Sequence, residues 1–177
     1  MSNELRIAVS GKSGCGNTTV SRLLAERLNI RLINYTFHDM AAERGMTFEE
    51  LCRHAEEDPQ YDLYLDRKQV ELAAQGSCVL GSRLAIWLLE QADLKIYLAA
   101  SAEVRARRIA DREKIPVEQS WRSMVERDER DQQRYLRLYG LDTERYDFAD
   151  LVIDTERYDQ AGVVGLILDS LEKLQKT

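Results

Sequence analysis

Gly11-Lys12-Ser13-Gly14-Cys15-Gly16-Asn17-Thr18-Thr19 is the stretch that decides the fold. The apolar run before it, Leu5 to Val9, predicts a buried strand. In the segment after it, 20–28, apolar residues recur at helical spacing. A strand, a glycine-rich turn and a helix are the context of a phosphate-binding loop, because glycine lets backbone N–H groups and a helix N-terminus face an anion. We therefore expect 11–19 to bind ATP, with the Thr18 hydroxyl on Mg²⁺.

The loop departs from the usual pattern at one position. The motif G-x-x-x-x-G-K-[ST] places a lysine where this chain has Asn17, and that lysine reaches the β- and γ-phosphates. An amide donates hydrogen bonds but carries no charge. Lys12 follows the first glycine, as the signature lysine does in the deviant Walker A loops of another ATPase group, which this loop resembles. We hypothesise that Lys12 supplies the missing charge, from its own subunit or across a dimer.

Composition limits the class of protein. The chain has 177 residues, of which 32% are charged and 44% hydrophobic, as expected for one globular domain. A net charge of −6 argues against a general nucleic-acid binder. Three cysteines without C-x-x-C spacing favour reduced thiols in a cytoplasmic protein. The polar N-terminus predicts no signal peptide, and no apolar run is long enough to predict a membrane span.

The apolar runs predict five short strands separated by helices, and hence an α/β fold with a parallel sheet. The predicted strands are 5–9, 30–34, 77–80, 94–98 and 150–154. Three helices, at about 37–44, 47–57 and 61–75, fall between the second and third strands. We expect them to form a helical part inserted over the sheet edge at about 35–76, where a second substrate binds. The alternative is that these helices only add to the core. The apolar stretch 83–89 predicts a further helix.

Arginines cluster on two helices around a turn near residues 114–116. Because arginine binds phosphate through a planar fork, we expect a mobile lid at about 105–120 that stabilises the transferred phosphoryl group. The alternative is a solvated helix face with salt bridges, since acidic residues interleave with the arginines of the second helix. The arginines predicted to be catalytic, together with Lys12, are Arg105, Arg108 and Arg112.

The second of these helices carries Arg127, Asp131 and Arg134, spaced four and three residues apart. This spacing puts the three side chains on one helical face. Two arginines on either side of a carboxylate can bind the edge of a base or sugar, and Asp131 can accept a hydrogen bond from the amino group of cytosine. A structural row of ion pairs would have the same spacing.

These residues together resemble the cytidylate kinases, which phosphorylate CMP and dCMP from ATP, over essentially the whole chain. The stretches that carry the resemblance are 11–19, 42–46, 56–59, 65–69, 83–87, 103–109, 127–134 and 151–155. The resemblance implies a three-layer α/β/α P-loop NTPase fold with a five-stranded parallel sheet, an NMP-binding part and a lid. It also implies Mg²⁺ as cofactor and ATP and CMP or dCMP as partners, whereas composition has already argued against nucleic acid and membrane as partners. The sequence leaves open whether the protein is a monomer or a homodimer.

The resemblance assigns roles to particular residues. It implies that Arg83 contacts the CMP phosphate, and that Arg127, Asp131 and Arg134 contact CMP. His38 stands where such kinases carry an NMP-binding arginine, and Gly81 stands where they carry an acidic residue that helps to organise Mg²⁺. These replacements, with Asn17, leave two alternatives to an active cytidylate kinase. One is a weakened homologue that binds nucleotide as a sensor or partner-binding module, and the other is a kinase for another small acceptor.

Overall fold

The computed structural model describes residues 4–175 and contains one five-stranded sheet. The strands pair in parallel in the order β2-β3-β1-β4-β5, which confirms the predicted α/β fold. All five carboxyl ends therefore lie at the same edge of the sheet, where ligands bind in open α/β folds. The strands are β1 (Arg6–Gly11), β2 (Arg31–Ile33), β3 (Cys78–Gly81), β4 (Leu94–Ala99) and β5 (Leu151–Asp154).

The helices lie close to their predicted positions, with one exception. The helix expected over 83–89 is a single turn, because residues 89–93 already return the chain to β4. The helices are α1 (Asn17–Leu28), α2 (Phe37–Arg44), α3 (Phe48–Glu57), α4 (Gln60–Ala73), α5 (Ala85–Leu88), α6 (Ala102–Glu113), α7 (Val117–Tyr139) and α8 (Gln160–Gln175). Within the described part of the chain, no helix is both long and apolar enough to cross a bilayer.

Apolar side chains cover both faces of the sheet. In β1, Ile7 and Val9 point to the face covered by α1 and α8, while Ala8 points to the face covered by α4 and α5. This alternation follows from the period of two along a strand. Helices on both faces make the three-layer arrangement that the resemblance implied.

The three inserted helices α2–α4 share a small core of their own around Met40 and Leu51, which are fully buried. Thr36 and Thr47 begin α2 and α3 with capping boxes, in which each threonine side chain accepts from the backbone N–H three residues later. Helices α6 and α7 pack against each other as a hairpin, and the Ser120 hydroxyl on α7 donates to the Ala106 carbonyl on α6 at 2.7 Å. Both helical parts stand beside the carboxyl edge of the sheet.

Candidate active site

The loop between β1 and α1 is curled tightly against its neighbours, and this explains its glycines. Gly14 and Gly16 have φ of 85° and 86°, in the left-handed region that favours glycine. A Cβ on Gly11 would lie 2.7 Å from the Leu98 carbonyl oxygen, and a Cβ on Gly14 would lie 2.9 Å from the Arg105 backbone. The loop lines a cleft of about 460 Å³, called the phosphate cleft below, together with Gly81, Ser82, Arg83 and Arg112. Thr18 and Thr19, at the start of α1, line the same cleft.

Asn17 belongs to the scaffold of the cleft. Its amide nitrogen donates to the carbonyl oxygen of Val9 in β1 at 3.0 Å and to that of Ser82, just after β3, at 3.4 Å. Its amide oxygen accepts from the Ser21 hydroxyl at 2.9 Å. A Cβ on Gly81 would lie only 2.4 Å from that hydroxyl oxygen, so the small residue at 81 makes room for this neutral network. Asn17 and Gly81 therefore fit each other.

Lys12 stands at the mouth of the cleft and is paired within its own chain. Its Nζ lies 2.6 Å from Oε1 of Glu144, in the segment that connects α7 to β5. The Tyr146 ring stacks on Tyr97 of β4 with ring centroids 3.8 Å apart, which fixes this segment beside the loop. Because both side chains of the pair are partly exposed, the pair can open to admit an anionic ligand.

The three α6 arginines that were predicted to be catalytic lie at different depths. Arg105 is 5% exposed, donates to the Ser13 carbonyl at 3.2 Å and pairs with Asp128 at 2.8 Å. Arg108 donates to the Gly14 carbonyl at 3.2 Å and to the Thr155 hydroxyl at 2.9 Å. Arg112 is exposed and lines the phosphate cleft. Arg105 and Arg108 thus hold the loop from behind, and Arg112 is the α6 arginine that faces the cleft.

The side chains expected to bind the acceptor meet on the other side of the loop. Arg83 donates to the Ser13 hydroxyl at 2.8 Å and forms an ion pair with Oδ2 of Asp131. Arg134 pairs with Oδ1 of Asp131 at 3.1 Å and with Asp62 at 3.5 Å. Arg127 lies one turn before Asp131, in the wall of a cleft of about 910 Å³ between α7 and the inserted helices. Arg83 therefore connects the phosphate loop with the arginine–carboxylate row of α7.

His38 lies apart from this group. Its exposed ring stacks on Phe48 at 3.9 Å, and its neighbour Phe37 lines the large cleft instead. Because Thr36 begins α2, helical geometry places residue 37 on the side of α2 that lines the cleft and residue 38 on the side that meets Phe48.

Several residues that line these clefts were not predicted from the sequence. A cavity of about 490 Å³ adjoins Cys15 and Gly16 of the loop and is lined by Arg108 and by the segment from Thr155 to Val163. Its position beyond the carboxyl end of β5 could have been inferred from the rule for parallel sheets. Asp66 of α4 lies in a stretch that carries the resemblance, but neither it nor Asp62 was predicted to line the site, because their proximity to Arg134 depends on how α4 packs against α7.

The phosphate cleft offers hydroxyl groups as metal ligands. Ser13, Thr18, Thr19 and Ser82 line it, and among the described lining residues there is no carboxylate. The described residues also hold no cluster of three histidine, cysteine or acidic side chains suited to a metal. Mg²⁺ commonly keeps several waters and binds through substrate phosphates, so the exposed Thr18 hydroxyl fits as its protein ligand.

Comparisons with known proteins agree with this geometry. Cytidylate kinase 2 of Borrelia garinii subsp. bavariensis is 45% identical over 173 residues, which are 96% of this chain and 97% of that protein. The cytidylate kinase of Pyrococcus horikoshii is 39% identical over 97% of this chain and 91% of its own. In fold, the chain is similar to shikimate kinase from Acinetobacter baumannii in complex with shikimate, with a TM-score of 0.65, 19% identity and coverage of 99% and 97%. The profile of the cytidylate kinase-like family matches residues 6–157, and the chain therefore belongs to that family.

Proposed function

We propose that this protein is an ATP-dependent cytidylate kinase that transfers the γ-phosphoryl group of ATP to CMP or dCMP, with Lys12 in the role of the usual lysine at position 17. The observation that carries the proposal is the position of Arg83. It contacts Ser13 of the phosphate loop and Asp131 of the arginine–carboxylate row, so a donor and an acceptor phosphate would meet at one guanidinium group. The names of the relatives support the same reaction.

The donor side has room for a whole nucleotide. The triphosphate would lie along residues 11–19 at the N-terminus of α1, where free backbone N–H groups favour anions. The adenine would enter the cavity between Cys15 and the Thr155–Val163 segment, beside the guanidinium of Arg108. Helices α2–α4 would form the CMP-binding part over about 35–76, and the α6–α7 turn, over about 105–120, would form the lid.

The chemistry needs charge and position rather than a strong base. An anionic phosphate oxygen of CMP forms the new P–O bond, the bond to the bridging oxygen of ADP breaks, and ADP leaves with that electron pair. Lys12, Arg83 and Arg112 would stabilise the charge on the phosphoryl group in transfer. Bound Mg²⁺, held by Thr18 and the phosphates, would neutralise part of the negative charge of ATP.

A coupled assay of ADP release tests the proposal. Purified protein with ATP and Mg²⁺ is given CMP, dCMP, UMP, AMP or GMP in turn, and turnover is expected with the cytidine nucleotides. The product must also be identified as CDP or dCDP by chromatography. Turnover with shikimate or another alcohol, and none with CMP, would assign the chain to a different acceptor.

One observation favours a second candidate function. Asn17, Ser21 and Gly81 form a closed neutral network where a lysine and a carboxylate would bring charge to the phosphates. A protein of this kind could bind nucleotide without turnover and serve as a sensor. ATP that raises the melting temperature in the absence of any ADP release, with all acceptors tried, would select this candidate.

A further inference from the structure

A small cavity of about 180 Å³ lies between α4, α7 and the turn after β3. It shares Ser82 and Arg83 with the phosphate cleft, and it shares Asp62 and Arg134 with the large cleft beside α7. A nucleotide whose phosphate reaches Arg83 would therefore place its base in or beside this cavity. The side chains inside the cavity decide which base fits.

The sequence pointed to Asp131 as an acceptor for the amino group of cytosine, and in the structure this carboxylate is paired with two arginines. Oδ2 of Asp131 is paired with Arg83, and Oδ1 accepts from Arg134 at 3.1 Å. Both carboxylate oxygens lie against guanidinium groups, which favours a role for Asp131 in positioning the two arginines. Another acceptor is therefore needed only if Asp131 stays with the arginines when the nucleotide binds.

Asp66 and Gln69 of α4 supply such acceptors. Oδ2 of Asp66 accepts from the Tyr139 hydroxyl at 2.6 Å, and Oδ1 has no hydrogen-bond partner among residues 4–175. The amide nitrogen of Gln69 donates to the Tyr35 carbonyl at 2.9 Å, so the amide oxygen is the group left for a ligand. Both residues line the cavity.

We infer that Asp66 is the base-contacting residue that selects cytosine over uracil in the cavity between α4 and α7. This inference rests on the proposed function and extends it to the specificity of the acceptor site. The 4-amino group of cytosine donates to a carboxylate, whereas uracil carries a carbonyl oxygen at the same position and would face the carboxylate unpaired. The buried hydroxyl of Ser82, which has no partner among the described residues, and the guanidinium of Arg134 are donors for the other polar atoms of the ring.

The charge state of Asp66 depends on every element packed around it. The pKa of its carboxyl is raised to about 6. Burial is the largest cause and raises it, the hydrogen bond from Tyr139 on α7 lowers it, Asp62 on α4 raises it and Arg134 on α7 lowers it. Arg83, in the turn after β3, adds a further positive charge to the cavity lining. At pH 7.5 the carboxylate form predominates and accepts from cytosine. Near pH 5.5 the protonated form can donate to the uracil carbonyl.

The test compares Asp66→Asn with the unchanged protein, using kcat/KM for CMP and for UMP at pH 7.5. The CMP/UMP ratio is expected to fall by about 10–100-fold in the variant, because an amide can donate to uracil and a charged hydrogen bond is lost to cytosine. In the unchanged protein the ratio is expected to fall between pH 7.5 and 5.5, and in Asp66→Asn it should vary little. Asp169→Asn, an exposed change on α8, is the matched control and should keep the ratio and its pH dependence.

The outcomes separate this inference from the proposed function. If the unchanged protein phosphorylates CMP but Asp66→Asn keeps the full CMP/UMP ratio, Asp66 does not read the base, although the kinase assignment stands. If no acceptor is phosphorylated, the proposed function fails, and equilibrium dialysis of CMP and UMP decides the inference. A preference for CMP that Asp66→Asn abolishes would then support it, and equal affinities in the unchanged protein would overturn it. Thermal melting of each variant shows that it is folded.

Discussion

At the scale of single residues, the phosphate loop shows how Asn17, Ser21 and Gly81 fit one another. Asn17 is held by the carbonyl oxygens of Val9 and Ser82 and by the Ser21 hydroxyl, and Gly81 leaves the space that Ser21 occupies. A neutral side chain at 17 therefore changes the electrostatics of the loop without weakening its attachment to β1 and β3. Lys12 is left as the cationic side chain of the loop itself, at the mouth of the cleft.

Gly81→Ala is expected to destabilise the fold. The added Cβ would lie 2.4 Å from the Ser21 hydroxyl oxygen, and overpacking of this kind lowers the free energy of unfolding by about 1–3 kcal/mol. Denaturant unfolding measures the loss. Gly165→Ala is the control, because nothing lies within 4 Å of a Cβ built there on α8. Equal stability of the two variants would show that the network around Asn17 can rearrange freely.

Lys12→Met tests whether Lys12 acts in place of the lysine that the motif expects at position 17. We expect kcat to fall by about 100-fold or more, since loss of one group that stabilises transition-state charge commonly has this effect. Lys95→Met is the control. Lys95 carries the same charge but lies near the start of β4, away from the phosphate loop, so its loss should leave kcat within about twofold. Steady-state kinetics with saturating ATP makes the comparison. Undiminished turnover in Lys12→Met would show that the arginines alone stabilise the negative charge of the phosphoryl group in transfer.

Glu144→Gln tests whether the pair between Lys12 and Glu144 opens when ATP binds. Loss of the carboxylate frees the Lys12 ammonium, so the affinity for ATP should rise while the affinity for AMP, which lacks the β- and γ-phosphates, changes little. Isothermal titration gives both constants. Weaker binding of ATP to Glu144→Gln would instead mean that Glu144 holds Lys12 in its productive position.

At the scale of elements, α6 is fixed to the phosphate loop along its first turns and faces the cleft only near its end. Arg105 is buried between the loop and α7, whereas Arg112 is exposed at the last turn. A lid that moves must therefore bend beyond Arg108, near the turn that joins α6 to α7. The sequence could not indicate this division, because arginines that anchor and arginines that bind ligands look alike in the chain.

Arg105→Ala is expected to lower the free energy of unfolding by about 3 kcal/mol, because it removes one partner of a buried ion pair and leaves Asp128 and the Ser13 carbonyl unpaired. Arg107→Ala, an exposed change on the same helix, should alter it by no more than about 0.5 kcal/mol. Thermal and denaturant unfolding of both variants gives the comparison. A loss of activity in Arg105→Ala without any loss of stability would contradict this anchoring role.

The contact between α4 and α7 predicts a pH dependence of stability. Burial raises the pKa of Asp66 from 3.8 to about 6, so between these values the folded chain holds a proton that the unfolded chain has lost. Stability from this group therefore falls as pH rises through about 4 to 6, by up to about 3 kcal/mol. Asp66→Asn should be more stable than the unchanged protein at pH 7.5 and equally stable near pH 4. The difference isolates Asp66, because both proteins share all other titrating groups.

At the scale of the whole molecule, the clefts meet between three bodies: the sheet with its phosphate loop, the inserted helices α2–α4, and the α6–α7 hairpin. The cleft of about 910 Å³ between the inserted helices and α7 is large and open to solvent. Exclusion of water from the transferred phosphoryl group requires this cleft to narrow when both substrates bind.

Hydrogen exchange can detect this closure. With CMP and a non-hydrolysable ATP analogue together, amides of α2, α3 and the α6–α7 turn should exchange more slowly than with either ligand alone, since each ligand would contact a different wall of the cleft. Amides of α8, away from the clefts, serve as the internal reference. Additive protection from the two separate ligands would rule out closure that depends on both.

The sequence determined the fold class and the location of the phosphate loop. Periodicity of apolar residues is a local property, so strands, helices and their order could be predicted within a few residues, except that the short α5 was overestimated. Likewise, the helix that begins at Thr47 could be predicted, because a capping box is contained in four consecutive residues.

Tertiary structure alone decided which polar groups remain available to a ligand. Lys12 and Glu144, Asp131 and Arg83, and Asp66 and Tyr139 are each separated by many residues in the chain and meet only after the sheet and helices have packed. An arginine or carboxylate is free to bind substrate only if no such distant partner already satisfies it. This pairing depends on three-dimensional proximity, and spacing along the chain does not encode it.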